Sequence, residues 1–160
     1  GSALTHLYFD FAESTVGLIY FGNAEATRNA TCVRGAPLRA ELEDAGEDDE
    51  DVLDRSTGLQ WRKAPLGVAS TWVEALAACE DVGLRLPSIK ELLTLLNPDL
   101  PGYIDGASFP DNGAVPYWTS TPTRYQASGI RVYTVHFDSP YASYADPTTP
   151  GAEHHVRCLH

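Results

Sequence analysis

The stretch TWVEALAACEDVGLRLPSIKELLTLLNP, residues 71–98, decides the fold class because it contains two helix signals in succession. Thr71 precedes Glu74 by three residues, and Ser88 precedes Glu91 by three residues, so each pair can form a capping box at a helix start. Apolar residues then recur at helical spacing, which gives each predicted helix one face to bury. The two faces are Trp72, Ala75, Leu76 and Cys79, ending at Gly83, and Ile89, Leu92, Leu93 and Leu96, ending at Asn97.

A predicted hairpin and four strand-like segments surround these helices. Residues 51–64, DVLDRSTGLQWRKA, place apolar residues on either side of a turn at residues 56–58. The later segments are YWTST (117–121), IRVYTVHF (130–137), YASYAD (141–146) and HHVRCLH (154–160). Hairpin, two helices, long loop and strands, in that order, predict an α+β fold in which the helices lie against a mostly antiparallel twisted sheet.

The first 36 residues are predicted to be a separate segment. The opening Gly1-Ser2 and the absence of Met are typical of a tag remnant on an excised piece. Residues 3–35 run from an aromatic strand to a Cys-Arg strand, an order that the end of the chain repeats. We interpret them as the tail of a preceding repeat, while the alternative is that they are integral strands of one domain. The expected divisions are the 1–36 segment, an acidic linker at 37–50 and the main domain at 51–160.

The net charge of −11 limits the classes of partner. It argues against nucleic acid, anionic membranes and sulfated polysaccharides. Nine of the fourteen residues at 41–54 are acidic, which favours a solvated linker. Calcium is the alternative reading of this cluster, but the ligand spacing of a calcium loop is absent. No apolar run approaches the roughly 18 residues of a membrane span, so we expect no membrane insertion.

The three cysteines favour one disulfide and one remaining thiol. Cys32, Cys79 and Cys158 lie too far apart in sequence for the paired short spacings of a zinc site. A disulfide indicates an exported protein. Which two cysteines pair, and what role Cys32 has, stays open at this point.

The sequence contains no catalytic signature, so we expect no enzyme and no metal or other cofactor. Nucleophile-elbow, zinc-protease and phosphate-binding motifs are all absent. His154 and His155 are adjacent on a predicted strand and point to opposite faces, so they cannot chelate one ion together. Arg85, between two leucines before the second helix, is expected to be buried with a carboxylate or carbonyl partner.

Residues 97–116, NPDLPGYIDGASFPDNGAVP, form a long loop without periodicity. It consists almost entirely of turn-forming residues with interspersed aromatics. A structureless loop of this length in a compact domain is usually functional or disordered. Its aromatic content and dense turn signals favour a functional loop.

Six segments resemble, in order, the Lcl C-terminal-type domain family. They are VLDRSTGLQWRKA, TWVEALAACEDV, LRLPSIKELLTLLN, FPDNGAVPYWTST, VHF and the final VRCL. The resemblance covers about residues 48–160. The family, long listed as a domain of unknown function, occurs in bacterial surface and secreted proteins, often in tandem, and its members look like C-type lectin-like folds.

The resemblance implies a disulfide, a binding surface and a location. A cysteine on the first helix and one on the last strand match Cys79 and Cys158, so the resemblance pairs these two. It also implies recognition or adhesion through the 97–118 loop region, at the bacterial cell surface or outside the cell. The calcium-binding tripeptides Glu-Pro-Asn and Trp-Asn-Asp of true C-type lectins are absent. Calcium-dependent sugar binding is therefore not supported, and Leu84 stands where the family often has Trp.

Two hypotheses follow from the sequence. The first is a non-catalytic surface or secreted recognition module that binds a protein or a neutral glycan. Its expected binding residues are Tyr103, Asp105, Asp111, Asn112 and Trp118. The second is a structural repeat of a multidomain surface protein, in which the strands at 3–35 act in assembly, as a homo-oligomer or by strand exchange.

Overall fold

The computed structural model describes ten segments of the chain, and all structural statements below refer to them. They are residues 5–10, 15–20, 39–47, 50–69, 71–97, 99–110, 115–125, 129–138, 141–148 and 153–160. The strands are β1 (Thr5–Asp10), β2 (Thr15–Tyr20), β3 (Leu42–Ala45), β4 (Asp51–Asp54), β5 (Leu59–Arg62), β6 (Val68–Ala69), β7 (Tyr117–Tyr125), β8 (Gly129–His136), β9 (Tyr141–Ala145) and β10 (His154–His155). The helices are α1 (Trp72–Glu80) and α2 (Ile89–Thr94).

The main sheet has the strand order β6-β10-β7-β8-β9. Only the β10–β7 pair is parallel among these described strands, and the other three pairs are antiparallel. The register of β7 against β8 shifts between Trp118 and Pro122, a bulge that interrupts the ladder. The predicted α+β class with two helices and a mostly antiparallel sheet is confirmed.

Both helices begin where the capping boxes predict. Thr71 and Ser88 are the N-cap residues, and both box hydrogen bonds are present in each. Helix α2 ends at Thr94, one turn earlier than the sequence indicates. The Asn97 N–H donates to the Tyr103 carbonyl at 2.7 Å, so its hydrogen bond is made to the following loop and not to a helix carbonyl.

The acidic segment predicted as a linker contains a strand. Residues of β3 pair antiparallel with β4, which in turn pairs with β5, and these three form a separate sheet. Ion pairs offset the repulsion that favoured a solvated linker: Arg55 binds Glu43 at 2.6 Å, and Lys63 binds Asp44 at 2.7 Å. Residues 42–45 of the predicted linker therefore form a strand that pairs with β4, and the division of the chain at residue 51 stays a prediction.

Two buried clusters fill the domain. The first joins α2 to the β4–β5 hairpin, the long loop and the main sheet, and it contains Val52, Trp61, Leu92, Leu95, Ile104, Phe109, Tyr117, Val135, Phe137 and Leu159. The second lies under α1 and contains Ala69, Ala75, Cys79, Leu86, Trp118, Val132, Val156 and Cys158. Adjacent residues of β7 contribute to different clusters, because side chains alternate between the two faces of a strand. The helices therefore cover opposite faces of the main sheet.

The disulfide joins Cys79 on α1 to Cys158 after β10, inside the second cluster. This confirms the pairing that the family resemblance implies. Cys32 lies outside the described residues.

Strands β1 and β2 form a two-stranded antiparallel hairpin, in register from Thr5–Tyr20 to Asp10–Thr15. The third strand expected near the N-terminus, at 30–35, lies outside the described residues, and the repeat interpretation of 3–35 stays a prediction. Within the described part of the chain, neither helix has the length and apolar character needed to cross a membrane.

Candidate functional site

The long loop after α2 begins with a tight turn at Pro101–Tyr103. The Tyr103 N–H donates to the Leu100 carbonyl at 3.0 Å, and the Leu100 N–H donates to the Asn97 carbonyl at 3.2 Å. Gly102 and Tyr103 have φ values of 71° and 58°, respectively. Positive φ is ordinary for glycine but disfavoured for tyrosine, so the loop holds Tyr103 in a strained conformation.

A second turn follows and is organised by Asp105. Its carboxylate accepts hydrogen bonds from the Ala107 N–H at 2.9 Å and the Ser108 hydroxyl at 3.2 Å. Its carbonyl accepts from the Phe109 N–H at 2.9 Å, which directs Phe109 into the first core cluster. The carboxylate oxygens of Asp105, which the sequence suggested for ligand contact, thus accept hydrogen bonds that stabilise the loop.

An apolar cleft of about 340 Å³ lies between this loop and the end of β8. Its lining residues are Pro101, Gly102, Ile104, Gly106, Phe109, Pro110, Phe137 and Asp138. The side chains of Ile104, Phe109 and Phe137 belong to the buried core, so this wall of the cleft is part of the close-packed interior. Asp138, with 45% of its side chain exposed, is the single charged residue among those lining the cleft in the described chain.

Phe109 packs against the fully buried Arg157. The guanidinium carbon lies 4.6 Å from the centre of the Phe109 ring and 5.4 Å from that of Tyr117. One guanidinium nitrogen donates to the carbonyls of Arg62 at 3.1 Å and Lys63 at 2.7 Å. Sequence reasoning missed this residue, although an arginine between Val156 and Cys158 in a short apolar strand is a signal for a buried, hydrogen-bonded cation.

The edge of the cleft contains a carboxylate and a histidine. Asp138 lies beside His136, with the imidazole Nδ1 3.9 Å from the carboxylate. Burial lowers the pKa of His136, the Asp138 carboxylate opposes that effect, and the neighbouring His154 lowers the pKa further. Because its pKa lies below the ordinary value of 6.5, His136 is mainly neutral at pH 7.

The predicted binding residues do not form one site. Tyr103 and Asp105 lie in the loop beside the cleft, half-buried. Asp111 and Asn112 lie outside the described residues. Trp118 does not lie at the surface, where a binding residue was predicted. It is completely buried under α1, donates its indole N–H to the Ala69 carbonyl at 3.1 Å and stacks on His154 with 4.3 Å between ring centres. Its position on β7 directs it into the second cluster, so it cannot contact a ligand at the surface.

Arg85 also differs from its expected environment. Half of its side chain is exposed. Its two terminal guanidinium nitrogens donate to the two oxygens of the Glu91 carboxylate at 3.0 and 2.6 Å. The expected carboxylate partner is thus present, without the expected burial. The hydrogen bonds from Arg85 lower the pKa of Glu91. Burial acts to raise this pKa and the hydrogen bonds from Ser88 lower it further, so that it lies at about 2.

Within the described residues, no group of three or more His, Cys, Asp or Glu side chains is arranged to hold a metal ion. Asp51 and Asp54, the two buried carboxylates of the acidic segment, instead bind protein groups. Asp51 contacts the His160 imidazole at 2.7 Å and the Gln60 amide at 2.9 Å, and Asp54 accepts from Ser56 and Thr57.

Comparison with known proteins gives one match. The family model described as the Lcl C-terminal domain matches residues 50–160, which is more than half of the chain and includes both helices, the cleft and the disulfide. No curated protein and no solved structure matches the chain.

Proposed function

Because the chain belongs to the Lcl C-terminal domain family, a family associated with surface proteins, we propose that it is a non-catalytic recognition module of a surface or secreted bacterial protein. The module binds a protein or a glycan through the 97–118 loop region. Its binding site is the cleft between residues 101–110 and the end of β8.

The observation that carries the proposal is the composition of this cleft. Three core side chains, Ile104, Phe109 and Phe137, line an open cavity beside the partly exposed carboxylate of Asp138. Ligand pockets are typically concave, apolar and equipped with a few oriented polar groups. The two hydrogen-bonded turns hold the loop in place, which reduces the entropy lost on binding.

A C-type lectin-like fold is part of the proposal. It is supported by two helices packed on opposite faces of a mostly antiparallel sheet and by a long loop that emerges after α2 on one side. The disulfide between α1 and the last strand segment agrees with this assignment.

A cleft-blocking variant tests the proposal. Gly106 lines the cleft and has an ordinary φ, and a Cβ added there meets no atom within 4 Å, so Gly106→Trp adds a bulky side chain at the cleft without a clash at its Cβ. Val73→Trp, at a position 66% exposed on α1, adds the same side chain elsewhere. Glycan arrays and pull-downs, each with and without chelator, are expected to give a ligand that Gly106→Trp loses and Val73→Trp retains. A ligand that both variants bind equally would contradict the site.

A second function, assembly through the N-terminal strands, is favoured by one observation. Strand β2 lies beside β9, the edge strand of the main sheet, without a hydrogen-bonded ladder between them. An edge strand is a ready acceptor for strand addition by a second copy. Analytical ultracentrifugation of the full chain and of Leu18→Pro, in the middle of β2, tests this. We expect an oligomer that the substitution dissociates, and a monomer in both cases would exclude the function.

A further inference from the structure

We infer that the end of β8 is a pH-sensitive element that controls the cleft. At mildly acid pH the imidazole of His136 takes up a proton, the end of the strand loses its fixed position, and the cleft loses the wall to which Phe137 and Asp138 contribute. This inference rests on the proposed function of the cleft and concerns its regulation.

His136 lies at the junction between the main sheet and the cleft. It is the last residue of β8 and directly precedes two residues that line the cleft. Its backbone pairs with Tyr141 of β9, and the backbone of the preceding Val135 pairs with Tyr117 of β7. Only 16% of the His136 side chain is exposed. The wall of the cleft therefore continues from a strand end that carries a largely buried titratable group.

A second imidazole lies on the same face of the sheet. The register of β7 with β8 and with β10 places Pro116 between His136 and His154, so the two histidines belong to one row across three strands. Since side chains alternate along a strand, both imidazoles point to the face that carries Trp118. His154 is only 7% exposed and stacks on the Trp118 ring. A proton on His136 is therefore placed beside a buried imidazole and not in bulk water.

The surroundings of His136 oppose this proton more than they favour it. Burial is the largest effect and lowers the pKa of His136, His154 lowers it further, and the Asp138 carboxylate acts to raise it. That carboxylate lies 3.9 Å from Nδ1 of His136, which is longer than a hydrogen bond. The acidic residues of α1, Glu74 and Glu80, are exposed to solvent. The neutral imidazole is the form that fits this strand end.

Protonation therefore costs free energy that local opening recovers. The unfolded chain takes up the proton near the ordinary pKa of 6.5, whereas the folded protein takes it up only at a lower pH. The contribution of His136 to stability is thus complete above pH 6.5 and decreases as the pH falls below this value. The end of a strand opens at a smaller cost than the whole domain, and opening here returns the imidazole to water.

Hydrogen exchange of single amides, measured by NMR on the full chain at about pH 5 and about pH 7.5, tests the inference. After correction for the intrinsic exchange rates, we expect protection at positions 134–136 to fall about tenfold at the lower pH, and protection of Val52 in β4 to change less than about twofold. His136→Gln, which cannot take up the proton, should abolish the fall. His160→Gln removes a half-exposed histidine of the last strand segment and should behave as wild type. Equal protection at both pH values in the wild type, or the same fall in His136→Gln, would overturn the inference.

Two further measurements separate this inference from the proposed function. An NMR titration of the histidine rings needs no variant, and a His136 midpoint at or above pH 6.5 would contradict a pH-sensitive strand end. Any glycan or protein that Gly106→Trp loses serves as the binding probe, and its affinity should fall at acid pH in the wild type but not in His136→Gln. A cleft without any such probe would refute the proposed function, while exchange and titration still decide whether the end of β8 responds to pH.

Discussion

The pair formed by Arg85 and Glu91 joins the start of α2 to the strand segment before it. Glu91 accepts from the backbone N–H and the hydroxyl of Ser88 in the capping box and from both terminal nitrogens of Arg85. The Arg85 backbone exchanges two hydrogen bonds with Leu159, at 2.9 and 3.0 Å. The Glu91 side chain therefore caps α2 and also binds Arg85, the residue whose backbone pairs with Leu159 in the last strand segment.

Replacing Glu91 by Gln should lower stability in a pH-dependent way. Gln can still cap the helix, so the exchange removes mainly the charge. Because the pKa of Glu91 in the folded protein, about 2, lies below its ordinary value of 4.5, the charge stabilises the fold above pH 4.5, and this contribution is lost as pH falls toward 2. Since the partner Arg85 is half exposed, we expect a loss of about 1–2 kcal/mol at neutral pH.

Urea denaturation of wild type and Glu91→Gln across this pH range measures the effect. Glu74→Gln is the matched control, since Glu74 holds the same box position in α1, and none of the described residues forms an ion pair with it. A difference between wild type and Glu91→Gln that stays constant from neutral pH to pH 2 would contradict the assigned role.

The positive φ of Tyr103 predicts an unusual order of stability. Tyr103→Gly and Tyr103→Ala both remove the side chain, but only glycine accepts a φ of 58° without strain. We expect the glycine variant to be more stable by about 1 kcal/mol in urea denaturation. At Ser108, where φ is negative, the same two substitutions should give the opposite order. An alanine variant at 103 as stable as the glycine variant would argue against strain in this turn.

Individual residues differ in how well sequence reasoning places them. Thr71 and Ser88 could be assigned because a cap depends on neighbours three residues away. Trp118 and Arg157 could not, because their burial depends on which side of β7 faces α1 and on the position of Phe109, both set by contacts far apart in sequence. The cleft combines residues from the loop with Phe137 and Asp138, which no local pattern brings together.

At the scale of elements, the β4–β5 turn is stabilised by one buried carboxylate. Asp54 accepts hydrogen bonds from the backbone N–H groups of Glu41 and Ser56 and from the hydroxyls of Ser56 and Thr57. Burial acts to raise the pKa of Asp54, but these hydrogen bonds together lower it below its ordinary value. The turn and the entry to β3 therefore depend on the ionised form.

Removing this carboxylate should destabilise the hairpin and its third strand together. We expect Asp54→Ala to cost about 3 kcal/mol and Asp54→Asn about 1–2 kcal/mol, because the amide can keep part of the network. Glu80→Ala, at an exposed helix position, should change stability by less than about 0.5 kcal/mol. Urea denaturation measures all three, and an Asp54→Ala variant as stable as wild type would show that the network contributes nothing.

The elements themselves were predictable to different extents. The β4–β5 hairpin and the starts of α1 and α2 follow from turn residues and caps, which act locally. Strand β3 was missed because its acidic side chains indicate solvation, and only the pairing with β4 and the ion pairs to Arg55 and Lys63 reverse that preference. The early end of α2 follows from a hydrogen bond across the loop, which the helical pattern of leucines does not reveal.

At the scale of the whole molecule, the disulfide connects α1 to the last strand segment across a sequence separation of 79 residues. A cross-link of this length restricts the unfolded chain strongly, and its loss through Cys79→Ala and Cys158→Ala together should lower stability by about 4 kcal/mol. Thermal unfolding with and without reductant measures this loss of stability.

Non-reducing peptide mapping tests the pairing itself. It should find the bond between Cys79 and Cys158 in the wild-type chain and in Cys32→Ser. A bond between Cys32 and either of these cysteines in the wild-type chain would contradict the pairing.

The position of residues 156–160 has a consequence for the order of events during biosynthesis. The Cys158 carbonyl accepts from the Arg62 N–H, Leu159 pairs with Arg85, and the His160 N–H donates to the Gln60 carbonyl. The hairpin and the helix pair are thus joined by a segment that is synthesised after both of them, and such contacts between residues far apart in sequence slow folding. Until that segment emerges from the ribosome, the first buried cluster lacks Leu159 and the second lacks Val156 and Cys158, so part of their apolar surface stays uncovered and the nascent chain is prone to aggregation in this interval.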